Sequence, residues 1–81
     1  MTIEEINRSE DSFRYQLLAR LEMDCKYYLG SGQRHSKYLW ADTPEEHIAY
    51  MKGIWIGFVE DKRPEWLSYE DILNYERKMV D

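Results

Sequence analysis

Apolar residues recur at intervals of three and four in three stretches of the chain, which is the spacing of one face of an α-helix. The residues of the first apolar face are Leu17, Leu18, Leu21, Cys25 and Tyr28, flanked by Phe13 and Leu29. This pattern predicts a helix from near Asp11 or Ser12 to Leu29. Gly30 follows at once, so we expect it to end the helix in a left-handed conformation.

The second predicted helix has the clearest start signal. Thr43-Pro-Glu-Glu places a capping hydroxyl, a proline at the first helical position and a glutamate three residues after the cap. The apolar face that follows consists of Ile48, Met51, Trp55 and Phe58. Ile54, Ile56 and Val59 extend beyond that face. This helix is therefore either buried on more than one side or in contact with a partner.

A charged turn ending at Pro64 separates the second helix from the third. Ser68 is the expected N-cap of the third helix, and Leu67 is placed to pack on Ile72 as a hydrophobic staple. Residues 1–11 are polar and acidic apart from two isoleucines. Thr2-Ile-Glu-Glu could cap a short helical turn, but termini of this kind more often fray, which predicts a flexible segment before a single helical domain at residues 12–81. No stretch alternates long enough between apolar and polar residues to predict a strand.

The chain has 81 residues, enough for one domain, and a domain of this size buries only about 60% of the surface of its unfolded chain. The chain offsets this small buried fraction with three Trp, seven Tyr and two Phe, because each aromatic side chain that is buried removes a large area from water. We therefore predict a compact all-α domain of three helices. A long loop at about residues 30–42 packs across them through Leu39 and Trp40.

The net charge of −5 disfavours general binding of polyanions, because such binding depends on neutralising phosphates with Lys and Arg. A single cysteine, Cys25, excludes an internal disulfide and is typical of a reducing compartment. The N-terminus lacks the features of a signal peptide, and no apolar run is long enough to span a membrane. We therefore expect a cytoplasmic protein.

The 33–40 loop is a candidate binding site because basic and aromatic residues are interleaved there and no acidic residue is present. The candidate contacts to nucleic acid are Arg34, His35, Lys37, Tyr38, Lys62, Arg63 and Trp66. In the alternative interpretation, Tyr38 and its neighbours close the core while Arg34 and Lys37 point into water. Gly30 and Gly32 follow a helix instead of a strand, so they indicate a helix end and not a phosphate-binding loop.

Metal binding and catalysis have little support in the sequence. Cys25, His35 and His47 lack the paired spacing of structural zinc ligands, so no metal or cofactor is predicted. Cys25 with His35 is the one nucleophile and base pair worth naming, and nothing in their spacing supports it. Glu45-Glu46 and Glu70-Asp71 fall in the first turns of predicted helices, where they stabilise the helix N-terminus, and Glu4-Glu5 lies in the segment predicted to be flexible. We expect a protein that is not an enzyme.

The apolar residues beyond the face of the second helix are the other candidate site. Ile54 and Ile56, with Val59 and the nearby Trp66, would form a partner-binding surface if they are exposed. The alternative is a deeper core beneath the 30–42 loop, in which case these side chains are buried.

Several separated motifs resemble one known family. The run Tyr15-Gln-Leu-Leu-Ala-Arg-Leu-Glu-Met-Asp-Cys-Lys-Tyr-Tyr-Leu-Gly-Ser-Gly-Gln-Arg is followed in order by Tyr38-Leu-Trp-Ala, His47-Ile-Ala-Tyr-Met and Lys62-Arg-Pro-Glu-Trp-Leu-Ser. Together they resemble the eleventh numbered domain among the large polyvalent protein-associated domains. The resemblance implies an accessory domain of phage and conjugative-element proteins, and it supplies no catalytic residue.

These observations lead to two functional hypotheses. The first is a small non-enzymatic accessory or protein-interaction module associated with mobile elements, which binds a protein partner through the apolar surface of the second helix and the basic-aromatic loop. The alternative is a small binder of single-stranded nucleic acid or nucleotides that uses the basic-aromatic 33–40 loop.

Overall fold

The structure, a computed structural model, describes residues 2–31, 33–35, 37 and 39–80. The α-helices in these ranges are α1 (Ile3–Asn7), α2 (Asp11–Leu29), α3 (Pro44–Gly57) and α4 (Tyr69–Met79). A short 3₁₀ turn at Glu60–Lys62 lies between α3 and α4. None of the described residues forms a strand, and the predicted all-α class is confirmed.

Side-chain caps fix the starts of α3 and α4 where the sequence predicts them. The Thr43 hydroxyl accepts a hydrogen bond from the Glu46 backbone N–H at 3.1 Å. At α4, the Ser68 hydroxyl accepts from the Asp71 N–H, and the Asp71 carboxylate accepts from the Ser68 N–H, both at 3.0 Å. Each bond satisfies a backbone donor that the first helical turn leaves without an intrahelical partner.

The core lies between α2, α3 and α4, with α1 packed on α3. The fully buried side chains include Leu18, Leu21, Ile48, Met51, Ile54, Leu67 and Ile72. Leu39 is also buried, and the half-buried Trp40 packs edge-on against Tyr50 with ring centroids 4.8 Å apart. The loop after α2 therefore contributes to the core through Leu39 and Trp40, as predicted.

The chain reverses after α2 later than the sequence suggests. Gly30 has a φ of −111°, so the prediction that it adopts a left-handed conformation is wrong. Among the residues that the structure describes, Gln33 and Arg34 are left-handed, with φ of 53° and 63°. The Gly30 N–H still bonds to carbonyls of the last helical turn, and the Arg34 N–H then returns to the Tyr28 carbonyl at 2.8 Å. Gly32 is not among the described residues.

The N-terminal segment differs from the predicted flexible extension, because residues 3–7 form a helix that packs on α3. Thr2 and Glu5 complete a reciprocal capping box at its start. Ile6 is fully buried in the core, and the Asn7 side-chain amide donates to the Gly53 carbonyl at 3.2 Å. Gly53 has no Cβ, and one placed there would lie 2.7 Å from the Ile3 side chain, so the glycine makes room for α1.

Candidate functional site

Exposed apolar side chains gather at one end of the molecule. Six large apolar side chains among the described residues are exposed, namely Phe13, Met23, Tyr27, Ile56, Val59 and Trp66. Four of them, Phe13, Ile56, Val59 and Trp66, belong to the start of α2, the end of α3 and the turn that follows. These four residues are called the apolar end below.

Side-chain contacts bring these segments of the chain together. Tyr15 stacks on Phe58 with ring centroids 4.6 Å apart, which joins the start of α2 to the end of α3. The Trp55 indole N–H donates to the Leu67 carbonyl at 2.9 Å, so the chain beside Trp66 returns to α3. The apolar end therefore lies where these contacts hold α2, α3 and the chain beside Trp66 together.

The residues predicted to form a partner-binding surface on α3 are partly exposed and partly buried. Ile54 is fully buried on the same face as Met51, so its assignment to an exposed binding surface is wrong. Ile56 points away from that face and is 56% exposed, and Trp66 is 47% exposed. Phe13 was expected to flank the buried face of its helix, yet it is exposed. Its position in the first turn of α2, next to the polar Ser12, was the available signal.

The basic residues proposed to contact nucleic acid do not form one surface. Arg34 follows the C-terminus of α2, whereas Lys62 lies 3.8 Å from Asp11 at the N-terminus of the same helix. Helix α2 has 19 residues and is about 28 Å long, so roughly its full length separates Arg34 from Lys62.

Both candidate arginines already have partners within the protein. The Arg34 guanidinium donates to the Lys78 carbonyl at 2.6 Å, where it satisfies an acceptor at the end of α4. The Arg63 guanidinium lies over the Trp55 ring, 4.6 Å from its centroid. His35 and Lys37 are exposed, and Tyr38 lies outside the described residues. The geometry therefore favours structural roles for Arg34 and Arg63.

Arg14 is a buried cation that the sequence did not single out. Its side chain is 8% exposed, its guanidinium carbon lies 4.0 Å from the Phe58 ring centroid, and it pairs with Asp11 at 3.4 Å. Its Nε and Nη2 atoms have no hydrogen-bond partner among the described residues. The stacking on Phe58 partly offsets the loss of hydration, and Tyr15 stacks on the same ring.

Cys25, the candidate nucleophile, is shielded from solvent. Cys25 is fully buried with its Sγ 3.5 Å from the Met51 sulfur, and burial raises the pKa of the thiol to about 12. His35, the base considered for it, is exposed on the loop after α2. The described residues contain no cluster of three or more His, Cys, Asp or Glu side chains that could hold a metal ion.

His47 is a fully buried histidine in the first turn of α3. Its Nε2–H is placed to donate to the Leu21 carbonyl at 2.9 Å, and Nδ1 has no partner in the described part of the chain. Burial lowers the pKa of His47, against smaller opposing effects of the Leu21 carbonyl and Asp24. The ring therefore serves as a neutral hydrogen-bonding group between α2 and α3.

Comparison with known proteins identifies the domain type and no individual relative. A family model described as Large polyvalent protein-associated domain 11 matches residues 11–79, which confirms the resemblance inferred from the sequence motifs. The match begins at the first residue of α2 and leaves α1 outside. No curated protein and no solved structure matches the chain. Among the residues that the structure describes, no helix has the length and apolar character needed to cross a membrane.

Proposed function

Because the chain belongs to the large polyvalent protein-associated domain 11 family, we propose that it is a non-enzymatic accessory module of a mobile genetic element that binds a protein partner. The observation that carries this proposal is the apolar end. Four of the six exposed large apolar side chains among the described residues belong to these neighbouring segments, and large exposed apolar patches are typical of protein interaction sites.

The composition of the apolar end supports a protein partner. Trp66 and Phe13 are aromatic, and aromatic side chains are enriched in the well-packed centres of protein interfaces. Ile56 and Val59 are three positions apart and more than half exposed, so they add aliphatic surface without taking part in the core. Acidic residues of the Glu60–Lys62 turn lie beside them and would form part of a polar rim.

The experiment is quantitative co-purification of the tagged full-length chain from its native host. Replacing Ile56 and Val59 together by glutamate is expected to remove the partner while leaving the fold intact, because both side chains are exposed. Met23→Glu is the matched control, since Met23 is 69% exposed and lies ten residues, or about 15 Å, along α2 from Phe13. Equal recovery of partners by the double variant and the wild type would contradict the proposal.

A further inference from the structure

An open groove lies beside α1 on the surface of α3, away from the residues of the apolar end. It is a hollow of about 650 Å³ lined by Thr2, Ile3, Glu4, Glu46, Ala49 and Tyr50. A smaller hollow adjoins it, because Glu46 and Tyr50 line both, and adds Trp40 and Asp42 to the same surface.

The floor of this groove continues the surface on which α1 packs. Ala49, Gly53 and Gly57 are spaced by four residues and share one face of α3. Helix α1 covers two of these positions, with Ile3 against Gly53 and Asn7 against Gly57. Ala49 remains exposed beyond the N-terminus of α1. Helix α1 therefore shows that this face of α3 can pack against a helix, and Ala49 leaves the continuation of the face open.

The charge of the groove selects the chemistry of its occupant. Asp42 and Glu46 place two carboxylates beside the edge-on pair of Trp40 and Tyr50, and no Lys, Arg or His is among the described residues that line either hollow. Glu4 pairs with Arg8 at 3.5 Å, so the argument rests on the other two acids. Carboxylates next to aromatic rings favour ammonium and guanidinium groups.

We propose that this groove binds a short basic amphipathic helix of a partner protein. An aliphatic side chain of that helix packs on Ala49, as Ile3 packs on Gly53, and its lysine or arginine side chains face Asp42 and Glu46. The groove and the apolar end share no residue, so substitutions in each test the two proposals separately.

The test uses a synthetic helical peptide of about three turns, with leucine on one face and lysine and arginine on the other. Calorimetric titration into the full chain is expected to show binding that weakens as salt is raised. Asp42→Asn with Glu46→Gln is expected to weaken it roughly three- to ten-fold, since each exposed ion pair contributes modestly. The matched control is Glu10→Gln with Glu70→Gln, which removes two exposed acids that line neither hollow and should leave the affinity unchanged.

A second variant separates shape from charge. Ala49→Phe places a large side chain in the groove and should abolish peptide binding. Because Ala49 is exposed, the fold should be retained, which circular dichroism checks. Three results would overturn the proposal: no binding of the basic peptide, equal binding of a peptide with glutamine in place of its basic residues, or unchanged binding by Ala49→Phe. Self-association of the chain that Ala49→Phe abolishes would assign the groove to a second copy instead.

Discussion

Replacing Ile6 by alanine is expected to lower the free energy of unfolding by about 2–4 kcal/mol, the range for removing most of a fully buried isoleucine side chain. Ile6 is completely buried, although it belongs to a helix of only five residues. The value is large for a terminal segment because the side chain inserts into the core beside α3 and does not lie on its surface. The substitution therefore measures how firmly α1 is attached.

The free energy of packing α1 on α3 sets an upper limit to this loss. If α1 detaches from α3 while the other helices stay folded, a substitution that weakens the packing of α1 further no longer changes the free energy of unfolding of those helices. A loss near the top of the range indicates that α1 unfolds together with the domain. A smaller loss, with rapid hydrogen exchange confined to α1, indicates local detachment.

The assay is chemical denaturation followed by far-UV circular dichroism, with Glu4→Ala as the control in the same helix. Glu4 has an 83% exposed side chain, so its replacement should change the free energy of unfolding by no more than about 0.5 kcal/mol. If Ile6→Ala unfolds at the same denaturant concentration as the control, the packing of α1 contributes nothing to stability. The predicted flexible extension would then describe this segment better.

Three further predictions concern charged groups. Below about pH 6.5 the unfolded chain binds a proton at His47, whereas the folded protein keeps the ring neutral because its pKa is lowered. The free energy of unfolding therefore decreases by at most about 1.4 kcal/mol per pH unit as the pH falls from about 6.5 to the folded pKa. Below the folded pKa it no longer changes. Denaturation of wild type and His47→Gln across this range isolates the contribution, and parallel pH profiles would refute it. Arg14→Met should leave the free energy of unfolding unchanged or increase it by about 1 kcal/mol or more, because methionine keeps the contact with Phe58 and removes a poorly paired buried charge. Arg14→Ala loses that contact as well, so it should decrease the free energy of unfolding. Equal losses in the two variants would show that the charge itself stabilises the fold. Arg34→Glu with Lys37→Glu should change the binding of single-stranded oligonucleotides little in fluorescence anisotropy, and a large loss would support the nucleic-acid hypothesis instead.

The three long helices follow from local sequence signals. Thr43 and Ser68 cap their helices through side chains that are identifiable in the sequence, because capping depends on residues only two or three positions apart. The start and end of α2 at Asp11 and Leu29 follow from its apolar spacing in the same way.

What the sequence could not supply depends on contacts between distant residues. The packing of α1 requires Gly53 and Gly57 to leave space on α3, and nothing near Ile6 encodes that space. The division between buried Ile54 and exposed Ile56 depends on which faces of α3 the neighbouring helices cover. The apolar spacing alone is compatible with either arrangement.

The role of Arg34 was equally hidden. Its side chain meets the Lys78 carbonyl across 44 positions of the chain, and an isolated arginine in a polar loop gives no sign of that distant acceptor. The composition of the loop therefore could not indicate that Arg34 bonds within the protein.

The burial of Cys25 makes opening of the domain measurable by chemical modification. The chain contains one cysteine, so any adduct formed by a thiol reagent reports on a single position. Cys25 is shielded in the folded state, so a reagent reaches it only when the domain opens. If the domain closes again faster than the reagent reacts, the labelling rate equals the equilibrium constant for opening multiplied by the labelling rate of an exposed thiol. The ratio of these rates gives the opening free energy without any engineered probe. Measured inside cells, with and without the partner, the same ratio would report how much binding protects the domain.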